Sequence, residues 1–182
     1  IGGLRQFHDK YAEVITGDGE YDHEGIRQPL VKVIESPEDA GDASRLAFSA
    51  LLIDRLAFLQ LMQDRGVVDF RLREEWDEHD QGLNRWRGSF YETCLQPLFY
   101  DVLSVIPSAR EDNLSSFGRP PRFGGGLFEP ILPDEKEYDL SDEVMRDLLS
   151  VFIEGESRTV INEAVRGSLL ESHQEVDAQL AG

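Results

Sequence analysis

The sequence predicts an all-α fold: an irregular helical bundle around one long buried helix, with a Gly/Pro-rich loop or short hairpin attached. Three observations predict it. The stretch from Asp42 to Arg65 holds neither proline nor glycine and is apolar on all sides but one narrow stripe. A second stretch, "FYETCLQPLFYDVLSVI", repeats apolar residues at helical spacing through Phe90, Cys94, Leu98 and Val102. Turn-forming residues gather between 107 and 140, leaving helical patterns on both sides. With 182 residues, 40% of them hydrophobic, the chain is long enough to bury a real core as a single domain over 1–182. A first residue other than Met points to a piece of a longer protein.

Taken in order, Leu4, Phe7, Tyr11, Val14 and Ile15 lie at helical spacing, and "TGDGEYDHEG" then breaks the pattern. Pro29 limits what precedes "LVKVI", which reads as helix, so 1–40 forms an N-terminal helical segment of uncertain attachment. Asp42 is suited to N-cap a helix running from about 43 to 65, with Gly66 at its C′ position. On that helix Arg45, Ser49, Gln60 and Gln63 share the polar stripe. Asp54 falls opposite it, in the apolar face, where a carboxylate is costly unless an arginine or backbone N–H groups pair with it.

"RLREEWDEHDQGLNRWRGS" is charged and broken at Gly82 and Gly88, an exposed helix or loop. Pro97 removes a backbone hydrogen bond from the next helix and predicts a kink there. Residues 107–140 form an ordered loop. Ser141 caps "LSDEVMRDLLSVFI", whose first turn is acidic, and Ile161, Val165, Leu169, Val176 and Leu180 share a face of a last helix.

Acidic residues number 36 against 18 basic ones, of which only Lys10, Lys32 and Lys136 are lysines, for a net charge of −18. The acids are scattered, so the whole surface repels itself except where salt screens it. This composition resembles that of proteins from halophilic archaea. It also disfavours non-specific DNA binding by the segment as a whole, so any affinity for nucleic acid must be local. The single Cys94 excludes a disulfide framework and cysteine-based zinc clusters and fits a cytoplasmic protein; packing in the core is its expected role. No apolar run approaches the roughly 18 residues of a membrane span.

Catalytic motifs find little support. The Gly124–Gly126 triplet follows two prolines and runs into Leu127-Phe128-Glu129-Pro130, which no helix can extend, so a turn needing positive φ is favoured over a phosphate or cofactor cradle. A metal-dependent nuclease lobe would use Asp134 and Lys136, but Pro133-Asp134 overlaps the acid-x-Lys pattern instead of standing apart from it. The clusters at 22–24 and 77–80 read as surface charge, and His8 and His173 stand alone. No metal, cofactor or nucleophile is assigned. Arg85 and Arg87 around Trp86, and Arg119 with Arg122, are candidate phosphate contacts on nucleic acid, set against pairing with the many nearby acids.

Three blocks in order, "LLIDRLAFLQLMQDRGVVD" (51–69), "FYETCLQPLFYDVLSV" (90–105) and "RFGGGLFEP" (122–130), resemble the helical region preceding the methyltransferase domain of type IIG restriction-modification enzymes and related adenine-specific DNA methyltransferases. The matching positions are Asp54, Arg55 and Gly66; Phe90, Tyr91, Leu95, Pro97, Leu98 and Phe99; and Gly125 to Glu129. The similarity covers about 45–132. It implies a non-catalytic connector that orients nuclease and methyltransferase domains on DNA, with S-adenosylmethionine and magnesium belonging to the parent protein. "RPPR" lacks the Asn of that family's catalytic tetrapeptide. Asp54, Arg55, Pro97, Gly125, Gly126, Leu127 and Phe128 are then structural, the glycines turning the chain so that Leu127 and Phe128 plug into the bundle. A stand-alone haloarchaeal interaction module is the remaining alternative.

Overall fold

The computed structural model describes residues 30–83 and 87–153, with side chains as far as residue 150. The helices expected within 4–15 and 156–180, and Arg85, lie outside the described residues. The fold is all-α. No strand occurs among the described residues, and the only β-type pairing there is an isolated antiparallel bridge between Glu35 and Asp139.

Helix α1 (Leu30–Val33) is a single turn that buries Leu30. Arg45 of the next helix closes its open end, donating from Nε to Val31 O at 2.9 Å and from Nη2 to Ile34 O at 3.1 Å. Cationic side chains suit these positions because the last carbonyls of a helix lack partners.

Helix α2 (Asp42–Asp64) is the central rod. Gly41, and not Asp42, occupies its N-cap; Asp42 sits in the first turn, where its charge meets the positive end of the helix dipole. Phe48, Leu52, Ile53, Leu56, Ala57, Leu59 and Leu61 are buried. The expected polar stripe is buried too, since Ser49, Gln60 and Gln63 are all under 9% exposed. Each is satisfied locally. Ser49 Oγ donates to Arg45 O, Gln60 Nε2 to Asp64 Oδ1 and Gln63 Nε2 to Leu59 O. Periodicity located the polar residues correctly but could not reveal that other parts of the chain cover that side. The helix is long and apolar enough, by length and composition, to cross a membrane, contrary to the sequence reading; most of that stretch is buried inside the fold.

The rod stops at Gly66, whose φ of +68° a side chain would strain. Gly66 N–H donates to Gln63 O and Val67 N–H to Met62 O, the paired bonds of a Schellman ending. Gln63 Oε1 then accepts from Leu72 N at 2.7 Å and so begins α3 (Leu72–Asp80). This charged segment is a helix with an inner side, Leu72 and Trp76 being buried.

Helix α4 spans residues 90–103. Ser89 Oγ accepts from Glu92 N, and Asp142 Oδ1 accepts from Phe90 N, so two side chains satisfy its first donors. Pro97 has no N–H to give, and the turns on both sides, Tyr91–Leu95 and Leu98–Leu103, widen to π type. Gln96 N reaches back to Tyr91 O and Ser104 N to Phe99 O. The helix accommodates its proline by a wider winding.

Beyond α4 the chain runs through short 3₁₀ turns at Pro107–Ala109, Asp112–Phe117 and Glu135–Glu137, and no hairpin forms around the glycines. Helix α5 (Asp142–Ile153) follows, with Ser141 Oγ accepting from Val144 N. Asp142 also bonds His79 Nε2 at 2.8 Å, tying α3, α4 and α5 together. The His79 side chain is therefore buried, where the sequence had placed a surface cluster. The core is strongly aromatic: Phe48 stacks on Tyr138 at 4.2 Å, and Phe128 packs among Phe58, Phe99 and Phe123.

Candidate functional site

The most specific constellation is built on Arg55, in the middle of α2, which is fully buried. Its Nε donates to Leu127 O at 2.7 Å and its Nη2 to Glu129 O at 3.1 Å. Nη1 donates to the Tyr100 hydroxyl at 2.9 Å and lies 2.6 Å from Glu135 Oε1. Tyr100 in turn donates to Glu135 Oε1 at 2.6 Å. The other carboxylate oxygen accepts from the backbone of Ile131 at 2.7 Å and Leu132 at 2.9 Å. The guanidinium also faces the rings of Tyr100 and Phe99, 5.0 and 5.7 Å from their centroids.

A buried ion pair is tolerable only when its remaining donors and acceptors are used, as here. Burial alone would push the Glu135 carboxyl up. The Tyr100 hydroxyl, the two backbone N–H groups and Arg55 together hold it below the usual carboxylate range. Burial pushes the Tyr100 phenol up to about 12, against the pull of Arg55. Tyr91, completely buried alongside, is raised well above its ordinary value, first by burial and then by Tyr100. These groups keep one protonation state across the neutral range and hold structure together instead of exchanging protons.

The buried charge of α2 is thus Arg55, whereas Asp54 is only partly buried. On a helix covered on all sides, angular position alone does not decide which of two adjacent charges faces the deepest packing. Tyr100 and Glu135 were not anticipated as partners. Glu135 lies in "DEK", a run that looks solvent-facing, and its burial follows from the 3₁₀ turn it occupies.

Gly125 and Gly126 take φ of +89° and +81°, and Glu129 N–H closes on Gly126 O at 3.3 Å. This turn presents the Leu127 and Glu129 carbonyls to Arg55 and buries Phe128 completely; Leu127 packs partly buried against the core. Nothing approaches within 4 Å of where a Cβ would stand at Gly124, Gly125 or Gly126, and the loop does not open a helix. It does not fit an S-adenosylmethionine cradle, which needs glycines for close approach at a helix N-terminus.

Asp134 is exposed with a left-handed φ of 51°, and Lys136 lies 3.9 Å from Asp101 and over the Tyr100 ring. With Glu135 bound to Arg55, no carboxylates converge there. Among the described residues no group of three or more His, Cys, Asp or Glu could hold a metal. Cys94 is buried in α4.

The surface arginines have separate fates. Arg122 donates from Nε to Ser104 O at 2.8 Å, closing the end of α4, and pairs with Glu129 Oε1 at 3.0 Å. Arg87 and Arg119 are exposed and make no hydrogen bond or ion pair among the described residues. Arg119 instead borders a groove of about 430 Å³ with Arg110, Ser108 and Ser115. No sequence pattern had pointed to Arg110.

The chain is 27% identical over 135 residues to a protein of Methanocaldococcus jannaschii whose name describes it as a type II restriction enzyme and methyltransferase. The match covers 69% of this chain and 11% of that protein. The chain matches no family model, and no solved structure matches it. It is therefore similar, over most of its length, to a small part of a restriction-modification enzyme.

Proposed function

We propose that this chain is a non-catalytic helical connector within a restriction-modification enzyme, holding nuclease and methyltransferase domains in a fixed relation on DNA. The observation that carries this reading is the Arg55 junction. One guanidinium from the first similar block bonds Tyr100 of the second and the Leu127 and Glu129 carbonyls of the third. The segments that resemble the family are the ones locked together, and every nitrogen of the guanidinium is engaged within the fold. A connector needs a rigid body whose entry and exit paths are set, and the Gly125-Gly126 turn pinned on α2 supplies one such path. The M. jannaschii relative supports the enzyme context.

The test is made on the protein chain that carries this segment. Arg55→Met with Glu135→Leu replaces the pair by apolar groups of similar volume. If the segment is a connector, methylation and cleavage fall together, or cleavage position shifts, while cofactor binding by the methyltransferase domain is kept. Separately, Asp134→Asn and Lys136→Ala leave cleavage intact. Loss of magnesium-dependent cleavage in Lys136→Ala, with the fold preserved, favours the nuclease-lobe alternative and refutes the connector.

A further inference from the structure

The groove lined by the 3₁₀ turns Pro107–Ala109 and Asp112–Phe117 carries chemistry that the connector reading leaves unused. Arg110 lies half-buried at its wall, donating from Nε and Nη2 to the single carbonyl of Val105 at 3.1 and 2.9 Å. Its Nη1 is buried and has no hydrogen-bond partner. Arg119, just after Gly118, is exposed and has no hydrogen-bond or ion-pair partner among the described residues. Glu111 and Asp112 border the same groove, yet neither carboxylate bonds either arginine. Among the described arginines, Arg55, Arg73, Arg122 and Arg146 have carboxylate partners, while Arg45 and Arg71 donate to backbone carbonyls. A guanidinium nitrogen that has lost solvent and gained no acceptor carries an unmet hydrogen bond, which a small turn of the side chain toward an anion would satisfy. Burial also lowers the Arg110 pKa from its ordinary value, as expected of a cation lacking a compensating anion.

We propose that this groove binds one phosphate group, with exposed Arg119 as the first donor, the Arg110 guanidinium turning its unpartnered Nη1 toward the ligand, and the Ser108 and Ser115 hydroxyls at the rim. Its volume, about 430 Å³, admits a phosphate with its first waters, and the free fork of Arg119 matches two phosphate oxygens while Arg110 has one nitrogen left to give. The assignment of the phosphate to the DNA backbone rests on the connector reading; the binding of phosphate does not. Such a contact positions a protein on DNA without reading sequence.

The experiment uses the protein chain with a fluorescent 20–30 base-pair duplex, by anisotropy over a series of KCl concentrations, and orthophosphate, by calorimetry. Variants are Arg119→Ala, Arg110→Lys, which keeps the charge but not the fork, and Glu111→Gln. A backbone contact predicts duplex binding weakened about threefold or more by the two arginine variants and strengthened by Glu111→Gln, with the salt slope reduced by about one in Arg119→Ala. If duplex binding is unchanged while orthophosphate binds the parent and not Arg119→Ala, the site holds free phosphate and the DNA assignment is wrong. If neither ligand responds to any variant, the site itself is refuted. Retained duplex binding that falls with Arg87→Ala or Arg122→Ala would then leave the DNA-acting reading standing. Should Arg110→Lys melt early, exposed Arg119→Ala carries the test alone.

Discussion

At the residue scale the fold turns on Arg55. Its buried charge is compensated by Glu135 and Tyr100, and its remaining donors hold two carbonyls of the glycine turn. Removing one member of such a pair strands the other, at about 3–5 kcal/mol. Arg55→Ala therefore lowers the unfolding free energy by that much in urea titrations, whereas Arg55→Met with Glu135→Leu strands no charge and costs less, though it still loosens the turn by freeing the Leu127 and Glu129 carbonyls and the Ile131 and Leu132 N–H groups. The Glu135 carboxyl titrates below its ordinary range in the fold, so its stabilisation is complete above the unfolded value of about 4.3 and is lost as pH falls through the folded one. Glu135→Gln should flatten that acid limb of stability. Tyr100 behaves in the opposite direction: above about pH 10 the unfolded chain ionises while the folded phenol holds its proton to about 12, so stability declines across that window. Tyr100→Phe removes this share of the alkaline loss, which Tyr91 continues to contribute. The sequence revealed that a charge was embedded in the central helix but pointed to Asp54, because the choice between neighbours depends on where Glu135 arrives from far along the chain.

At the element scale, turns and caps set the path of the chain between the packed helices. The Gly125-Gly126 turn illustrates this: both φ values are positive and the space around each is open, so a methyl group meets no clash but strains the backbone. Gly126→Ala is expected to cost about 1–2 kcal/mol in chemical denaturation, and the double replacement with Gly125→Ala more. Asp142→Ala uncaps α4 at Phe90 and releases His79, for a loss of about 1–2 kcal/mol. Element positions were largely legible, because α2, α4 and α5 carry strong helical spacing and Gly66 marks an ending by its conformational freedom. What could not be read was the π winding around Pro97. A missing N–H predicts a disturbance but not its form, which depends on which carbonyls the neighbouring turns reach.

At the scale of the whole molecule, a net charge of −18 opposes compactness. Raising KCl from 0.05 to 2 M shortens the Debye length from more than 10 Å to about 2–3 Å, and the melting temperature should rise monotonically over that range. No rise, or a fall, would remove the case for adaptation to high salt. The groove at Arg110 was illegible from sequence, since an unused donor appears only when the adjacent Glu111 and Asp112 are seen to leave it unpaired.

The rod itself has a temporal consequence. By length and composition alone it could cross a membrane, and the Leu127 carbonyl that receives Arg55 lies 72 residues further along the chain. While the ribosome makes that interval, the segment waits without its final cover. A cation at the centre of a nascent helix costs insertion into lipid roughly 2.5–3.5 kcal/mol. The guanidinium that later seals the interior thus first weighs against insertion of the unfinished chain.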